Sequence, residues 1–151
     1  ITYHLALAGR LGKTAARQKV HAFHLGLAGS VHFLGAVADI DPLYCSSDIV
    51  IHSSILEGCP NAVLEGMAHR KCVIGTDISG LRQALGDDAS KTFLAPPKDV
   101  DYLAQLIAKY LDSDSARREA GSVNRHRIER EFSPEKMLNA VLQGISVRQQ
   151  K

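Results

Sequence analysis

The sequence contains no tryptophan, and aromatic residues make up only 5% of its 151 residues. It holds just three cysteines, Cys45, Cys59 and Cys72, with no Cys-x-x-Cys pair and no His/Cys spacing that suits zinc. We therefore expect free thiols in a reducing, cytoplasmic compartment rather than a disulfide framework. No apolar run approaches the ~20 residues that a membrane helix needs, and no signal peptide is visible.

A strong charge of one sign is also missing. The 18 basic and 16 acidic residues leave a net charge of +2, so no field draws the chain to nucleic acid, and membrane association is not indicated. A length of 151 residues suits one domain with a proper core. Because the sequence opens at Ile1 in a strand-like segment, we expect a single domain over residues 1–151 that is part of something longer.

Short apolar segments alternate with helical patterns along the chain. Strands are predicted at 3–9, 31–35, 48–54, 71–77 and 91–95. Helices are predicted at 12–28 and 39–47, from Pro60, after Gly80, from an Asp99 N-cap, at 115–131, and in a closing segment with an apolar face of Met137, Leu138, Val141, Leu142 and Ile145. This alternation predicts an α/β fold, a Rossmann-like parallel sheet with helices on both faces. Ligands bind such sheets at the carboxyl ends of the strands, here the loops after Gly9, Gly35, His52 and Gly75.

The stretch SSILEGCPNAVLEGMA, residues 53–68, places Glu57 and Glu65 around a predicted helix start. Pro60 suits the first helical position, since its missing N–H costs nothing there, and Gly58 permits close approach of a ligand. The helix start suits a phosphate, and the carboxylates can accept hydrogen bonds from sugar hydroxyls. The combination indicates a nucleotide sugar. On spacing alone, a helix-terminal charge and a solvated glutamate explain the same pattern.

The surrounding sequence resembles the retaining family 4 glycosyltransferases of the GT-B fold. Their motif is a serine, then Glu-Gly-x-Pro and a second glutamate after seven intervening residues, matched here by Ser54, Glu57, Gly58, Pro60, Asn61, Glu65 and Met67. Segments VHFLGAVADIDPLYCSSDIVI (31–51), KCVIGTDISGLRQAL (71–85), FLAPPKDVDYLAQLIAKYLDSDSARREAG (93–121) and EFSPEKM (131–137) resemble further family segments in order. The resemblance covers about residues 3–145.

The resemblance implies the carboxyl-terminal, donor-binding domain of such an enzyme, one half of a GT-B fold. It implies that Glu57, the catalytic candidate, contacts donor-sugar hydroxyls and that Glu65 binds the ribose. It also implies that the backbone of Gly58, Cys59, Pro60 and Asn61 faces the sugar or the diphosphate, and that the turn at Gly35 lies beside the base. Ser54 completes the motif.

The resemblance further implies a UDP- or GDP-sugar as donor, with no metal or other cofactor. The acceptor would be a glycan, a lipid or a small molecule, as in polysaccharide biosynthesis. It would bind an amino-terminal domain that this chain lacks, together with the first strand of the donor domain. We therefore expect the isolated chain to bind nucleotide but scarcely to turn over.

Several departures keep alternatives open. The family's phosphate-binding arginine and lysine have no counterpart, Arg70 and Cys72 replace a glycine and a proline, and Gln83 replaces a glutamate. A degenerate, non-catalytic nucleotide-sugar-binding module therefore stays possible. A GT-B-fold nucleotide-sugar epimerase is a second alternative, less favoured because it should lack the paired glutamates with Pro-Asn in the loop between them.

The sequence leaves the roles of two smaller features undecided. GRLGKT (9–14) is not a Walker loop, because position 7 is leucine where a glycine is needed; Arg10 or Lys13 could still approach a diphosphate. His52 ends the strand before the glutamate loop, where a lone histidine is more often a packed or hydrogen-bonded residue than a ligand.

Overall fold

A computed structural model describes residues 2–133, 135, 136, 138 and 142 of the chain. The chain divides into two compact units, Ile1–Ile40 and Asp41–Lys151, and each has its own strands. We expected residues 1–151 to form a single domain that lacks its first strand, and both points stay predictions.

The first unit is a strand–helix–strand motif. Its elements are β1 (Leu5–Ala8), α1 (Ala15–His24) and β2 (Val31–Gly35). The two strands pair in parallel, which is the arrangement that a helical crossover favours. The helix ends earlier than predicted because Gly26 adopts a φ of +70°, a left-handed conformation that commonly closes helices.

The second unit holds a three-stranded parallel sheet in the order β3-β4-β5. Its strands are β3 (Ile49–His52), β4 (Cys72–Thr76) and β5 (Leu94–Ala95). The central strand β4 is buried along its whole length, as the continuous apolar run KCVIG predicts for a strand covered on both faces. His52 and Gly75 lie opposite each other in the pairing of β3 with β4.

Six helices of the second unit connect and follow these strands within the described residues. They are α2 (Asp41–Ser46), α3 (Asn61–Ala68), α4 (Ser79–Leu85), α5 (Asp87–Phe93), α6 (Val100–Leu111) and α7 (Asp114–Glu131). The predicted Asp99 cap of α6 is confirmed, since its carboxylate accepts a hydrogen bond from the Tyr102 amide at 3.0 Å.

The core lies on both faces of this sheet. On one face Val73 of β4 packs in a cluster with side chains of α3 and α4, among them Met67 and Leu81. On the other face Ile74 packs in a second cluster with Leu106 and Tyr110 of α6. Because successive residues of a strand point to opposite faces, this division confirms the predicted fold class of parallel strands flanked by helices.

One predicted strand is mostly helical. Residues 91–95 were expected to form a strand, but α5 continues to Phe93 and β5 has only two residues. Asp87 and Asp88 lie in the first turn of α5, where acidic side chains favour a helix start. The apolar segment KTFLA therefore ends a helix before it enters the sheet.

The predicted closing helix falls largely outside the described residues. Met137, Val141 and Ile145 are not described. Leu138 and Leu142 are described and helical. The predicted helix at 115–131 is confirmed as α7, which begins one residue earlier with Ser113 as its N-cap.

Candidate donor-binding site

The glutamate loop connects β3 to α3. It begins after His52 and reaches the helix at Asn61, with Pro60 as the N-cap. The sequence placed Pro60 inside the first turn, but its ψ of 122° is extended, so the helix starts one residue later. The Pro60 carbonyl accepts hydrogen bonds from the amides of Val63 and Leu64 at 3.0 and 3.3 Å. The start of α3 thus lies at the carboxyl end of the sheet, as expected for a ligand site.

The carboxylate of Glu57 is held by the residues that precede it. The Ser54 hydroxyl donates a hydrogen bond to Glu57 Oε1 at 3.0 Å. The Ser54 carbonyl in turn accepts a hydrogen bond from the Thr76 hydroxyl at the end of β4. The Glu57 side chain stays 42% exposed, so it is oriented from within the protein while remaining open to a ligand.

The peptide that follows Glu57 is fixed by a close backbone approach. A β-carbon added to Gly80, near the start of α4, would lie 1.4 Å from the Gly58 carbonyl oxygen and 2.9 Å from the Glu57 carbonyl oxygen. Only glycine allows this contact. The first turn of α4 therefore supports the glutamate loop directly.

The carboxylate of Glu65 has a different partner. The Tyr44 hydroxyl of α2 donates to Glu65 Oε2 at 3.0 Å and lies 3.1 Å from the Ala62 carbonyl oxygen. Burial raises the pKa of Tyr44 far above its ordinary value, and the hydrogen bond to Glu65 raises it further. The phenol therefore remains protonated and keeps donating.

His69 also belongs to the group of side chains around Glu65. Its ring stacks on Tyr44 with centroids 5.0 Å apart. Nδ1 lies 2.9 Å from the Glu65 carbonyl oxygen, and Nε2 lies 3.3 Å from Asp41 Oδ1. These contacts restrain the phenol ring and, through it, the Glu65 carboxylate.

The other predicted residues of the glutamate loop are either packed into the protein or exposed to solvent. Pro60 is buried, and the Cys59 thiol packs against the core cluster of α3 and α4, where burial raises its pKa. Gly58 and Asn61 are exposed. Cys59 thus shapes the loop, while the backbone on either side of it remains accessible.

Gly35 belongs to the first unit. It ends β2 with a φ of +71°, and its carbonyl accepts a hydrogen bond from the Gly9 amide at 2.8 Å. Arg10 and Lys13 lie in the exposed loop after β1. Their proposed roles toward a base or a diphosphate stay predictions.

Four contributors to the site were not found from the sequence: Tyr44, His69, Thr76 and Gly80. Next to Thr76, Asp77 makes a bidentate ion pair with Arg82, with both contacts 2.5 Å long. The sequence predicts a helix after Gly80, whereas the structure places Gly80 inside the first turn of α4. A glycine within a helix is unfavourable relative to alanine, and this is the signal that could have marked the position.

Other site types are not supported within the described part of the chain. No group of three or more His, Cys, Asp or Glu residues there could hold a metal ion. No helix among those residues has the length and apolarity to cross a bilayer. The first unit has a depression of about 530 Å³, lined by Lys19, Phe23, Val31 and Phe33, among others.

Comparison with known proteins gives the family. Residues 2–113 match the family model described as "Glycosyl transferases group 1". The chain is 28% identical over 131 residues to the MMP alpha-(1->4)-mannosyltransferase of Mycolicibacterium hassiacum, which covers 85% of this chain and 32% of that protein. It spans about a third or less of the curated relatives that it matches.

Solved structures give the same fold. A glycosyltransferase from Rickettsia africae has a TM-score of 0.83 and 28% identity, covering 93% of this chain and 38% of that one. Anabaena HepE, crystallised in complex with UDP, has a TM-score of 0.84 and 23% identity, covering 96% and 41%. This chain belongs to the group 1 glycosyl transferase family, and its α/β fold is that of the GT-B glycosyltransferases.

Proposed function

We propose that this chain is the donor-binding part of a retaining glycosyltransferase and that it holds a nucleoside diphosphate sugar at the start of α3. One observation carries the proposal. The two carboxylates that flank this helix start, Glu57 and Glu65, are each fixed by a buried or partly buried hydroxyl and are both open to solvent. Carboxylates held in this way suit hydroxyl groups of a ligand rather than a role in the core.

In this proposal Glu65 binds the ribose hydroxyls and Glu57 binds the transferred sugar. The first amides of α3 have no intrahelical acceptors and carry partial positive charge, which suits the diphosphate between them. The helix start would then stabilise the charge of the leaving diphosphate, and the bound geometry would set the face of transfer. No metal is required by this arrangement.

The comparisons support the nucleotide part of the proposal. Anabaena HepE has this fold and was crystallised with UDP. The curated relatives that the chain matches include a mannosyltransferase, an N-acetylgalactosaminyltransferase and a glucosyltransferase, which favours transfer over epimerisation. Because the chain spans about a third of those proteins, we propose that acceptor binding belongs to a separate amino-terminal domain and that this chain alone scarcely turns over.

Titration calorimetry tests the proposal. UDP, GDP, UDP-glucose, UDP-N-acetylglucosamine and GDP-mannose would each be titrated into the wild type, Glu65→Ala and the exposed control Glu119→Ala. Hydrogen bonds to a charged group contribute about 1.5–3 kcal/mol, so we expect Glu65→Ala to weaken nucleotide binding roughly ten- to hundredfold. Glu119→Ala should bind like the wild type. A folded wild type that binds none of the five ligands would overturn the proposal.

A further inference from the structure

His52 has a buried ring nitrogen that the structure does not satisfy. The residue ends β3, and its side chain is only 18% exposed. Within the part of the chain that the structure describes, its Nε2 is buried and has no hydrogen-bond partner. A polar atom buried in this state is unfavourable unless it gains a partner.

The nearest charged acceptor is Glu57. His52 Nε2 lies 3.9 Å from Glu57 Oε1, which is beyond hydrogen-bond length by about 1 Å. The same oxygen accepts the Ser54 hydroxyl at 3.0 Å. Two side chains therefore converge on Oε1, and among the described residues Oε2 of this carboxylate receives no hydrogen bond.

The 1 Å gap is of the size that a carboxylate can close. Glu57 lies in a loop and is 42% exposed, whereas His52 is fixed at the end of β3, where it lies opposite Gly75 of β4. Movement of Glu57 rather than of His52 would therefore bring the two within bonding distance. A sugar hydroxyl that donates to Oε2 would hold the carboxylate in one orientation and favour that movement.

We propose that His52 is a positioning residue for Glu57. Its Nε2–H donates a hydrogen bond to Glu57 Oε1 when the nucleotide sugar binds. Together with Ser54, His52 then turns Oε2 toward the transferred sugar. This inference rests on the proposed function, because it assigns to His52 the orientation of the sugar-binding carboxylate. His52 itself does not touch the nucleotide.

The test compares nucleotide sugars with the bare nucleotides. UDP-glucose, UDP-N-acetylglucosamine and GDP-mannose, with UDP and GDP, would be titrated into wild type, His52→Leu and His52→Gln. Leucine removes the N–H group that donates the hydrogen bond and fills the place of the imidazole with an apolar side chain. The glutamine amide, in contrast, can place an N–H near the position of Nε2. We expect His52→Leu to weaken the best nucleotide sugar about fivefold and to leave its bare nucleotide unchanged. His52→Gln should restore most of the loss.

A double-mutant cycle with Glu57→Ala, which removes the acceptor oxygens, shows whether the two residues act together. If His52 acts through Glu57, His52→Leu in the Glu57→Ala background should cost little further affinity for the sugar. Additive losses would overturn the proposal. So would equal weakening of nucleotide and nucleotide sugar by His52→Leu, which is the pattern of a purely structural residue.

A measurement on the wild type keeps the proposal testable if His52→Leu does not fold. The ¹⁵N and ¹H resonances of the His52 ring should shift when the nucleotide sugar is added and should change little with the bare nucleotide. An unchanged Nε2 resonance at saturation would overturn the inference alone, leaving the proposed function intact. A wild type that binds no nucleotide would overturn both.

Discussion

Gly80 lies against the carbonyl of Gly58 so closely that a β-carbon at position 80 would come within 1.4 Å of its oxygen. The contact joins the first turn of α4 to the glutamate loop. Because the obstructing atom is backbone, a side chain at position 80 would have to displace the loop. Gly80 thus links the stability of the fold to the shape of the site.

Gly80→Ala should therefore lower the free energy of unfolding and weaken nucleotide-sugar binding. Overpacking of this kind costs roughly 1–3 kcal/mol, which urea denaturation followed by circular dichroism would measure. Gly12→Ala is the matched control, since a β-carbon there meets no described atom within 4 Å, and it should change stability by less than about 0.5 kcal/mol. Equal stability of the two variants would contradict the close approach.

Tyr44→Phe removes the hydroxyl that holds Glu65. We expect a loss of about 1 kcal/mol in stability, the usual contribution of one hydrogen bond, and a several-fold weaker affinity for UDP because the Glu65 carboxylate loses its orientation. Tyr102→Phe is the control, as this residue of α6 is 42% exposed. Calorimetry that finds unchanged UDP affinity for Tyr44→Phe would show that Glu65 needs no such support.

Arg70→Gly should stabilise the chain. Arg70 follows α3 with a φ of +57°, a left-handed conformation that costs a side-chain-bearing residue about 1–2 kcal/mol. Part of the gain is offset because glycine has more freedom in the unfolded chain, so we expect up to about 1 kcal/mol. Arg70→Ala keeps the strained backbone and serves as the control. Identical unfolding midpoints for the two variants would contradict the explanation.

The ion pair of Asp77 with Arg82 should make stability depend on pH. The hydrogen bonds from Arg82 hold the pKa of Asp77 below its usual range. A carboxylate with a lowered folded-state pKa stabilises above its unfolded pKa of about 3.9, and this contribution is lost as the pH falls through the lower, folded-state value. Wild type should thus exceed Asp77→Asn in stability near neutral pH, and the difference should vanish in acid.

Urea unfolding from about pH 7 down to about pH 2 follows the decline of this difference. Arg82→Gln should cost about as much as Asp77→Asn, and the double variant little more than either, because each removes the same pair. Added salt should reduce all three effects, since the pair is partly exposed. A difference that is independent of pH would assign the effect to packing.

The elements that were predicted correctly are those with a strong local signal. β4 reads as an unbroken apolar run, and both its burial and its position in the sheet follow from that run. Asp99 reads as an N-cap and is one. The segment KTFLA gives no such signal, because a short apolar run fits the end of a helix as well as a strand, and the acidic first turn of α5 decided the outcome.

The site, too, has a part that the sequence predicts and a part that it does not. The motif around Glu57 and Glu65 is contiguous in sequence, so its loop and helix could be placed without the structure. The partners of these glutamates could not, since the Tyr44–Glu65 and Thr76–Ser54 hydrogen bonds each join residues more than twenty positions apart. Such contacts depend on how strands and helices pack, and local sequence patterns do not predict that packing.

Binding of a nucleoside diphosphate at the start of α3 is tested most directly by an amide ¹H–¹⁵N titration of the wild-type chain with UDP and GDP. We expect the largest shifts on Gly58, Cys59 and Asn61, and Glu65→Ala should suppress them. Shifts confined to the depression lined by Lys19, Phe23 and Phe33, with residues 58–65 unchanged, would contradict binding at the start of α3.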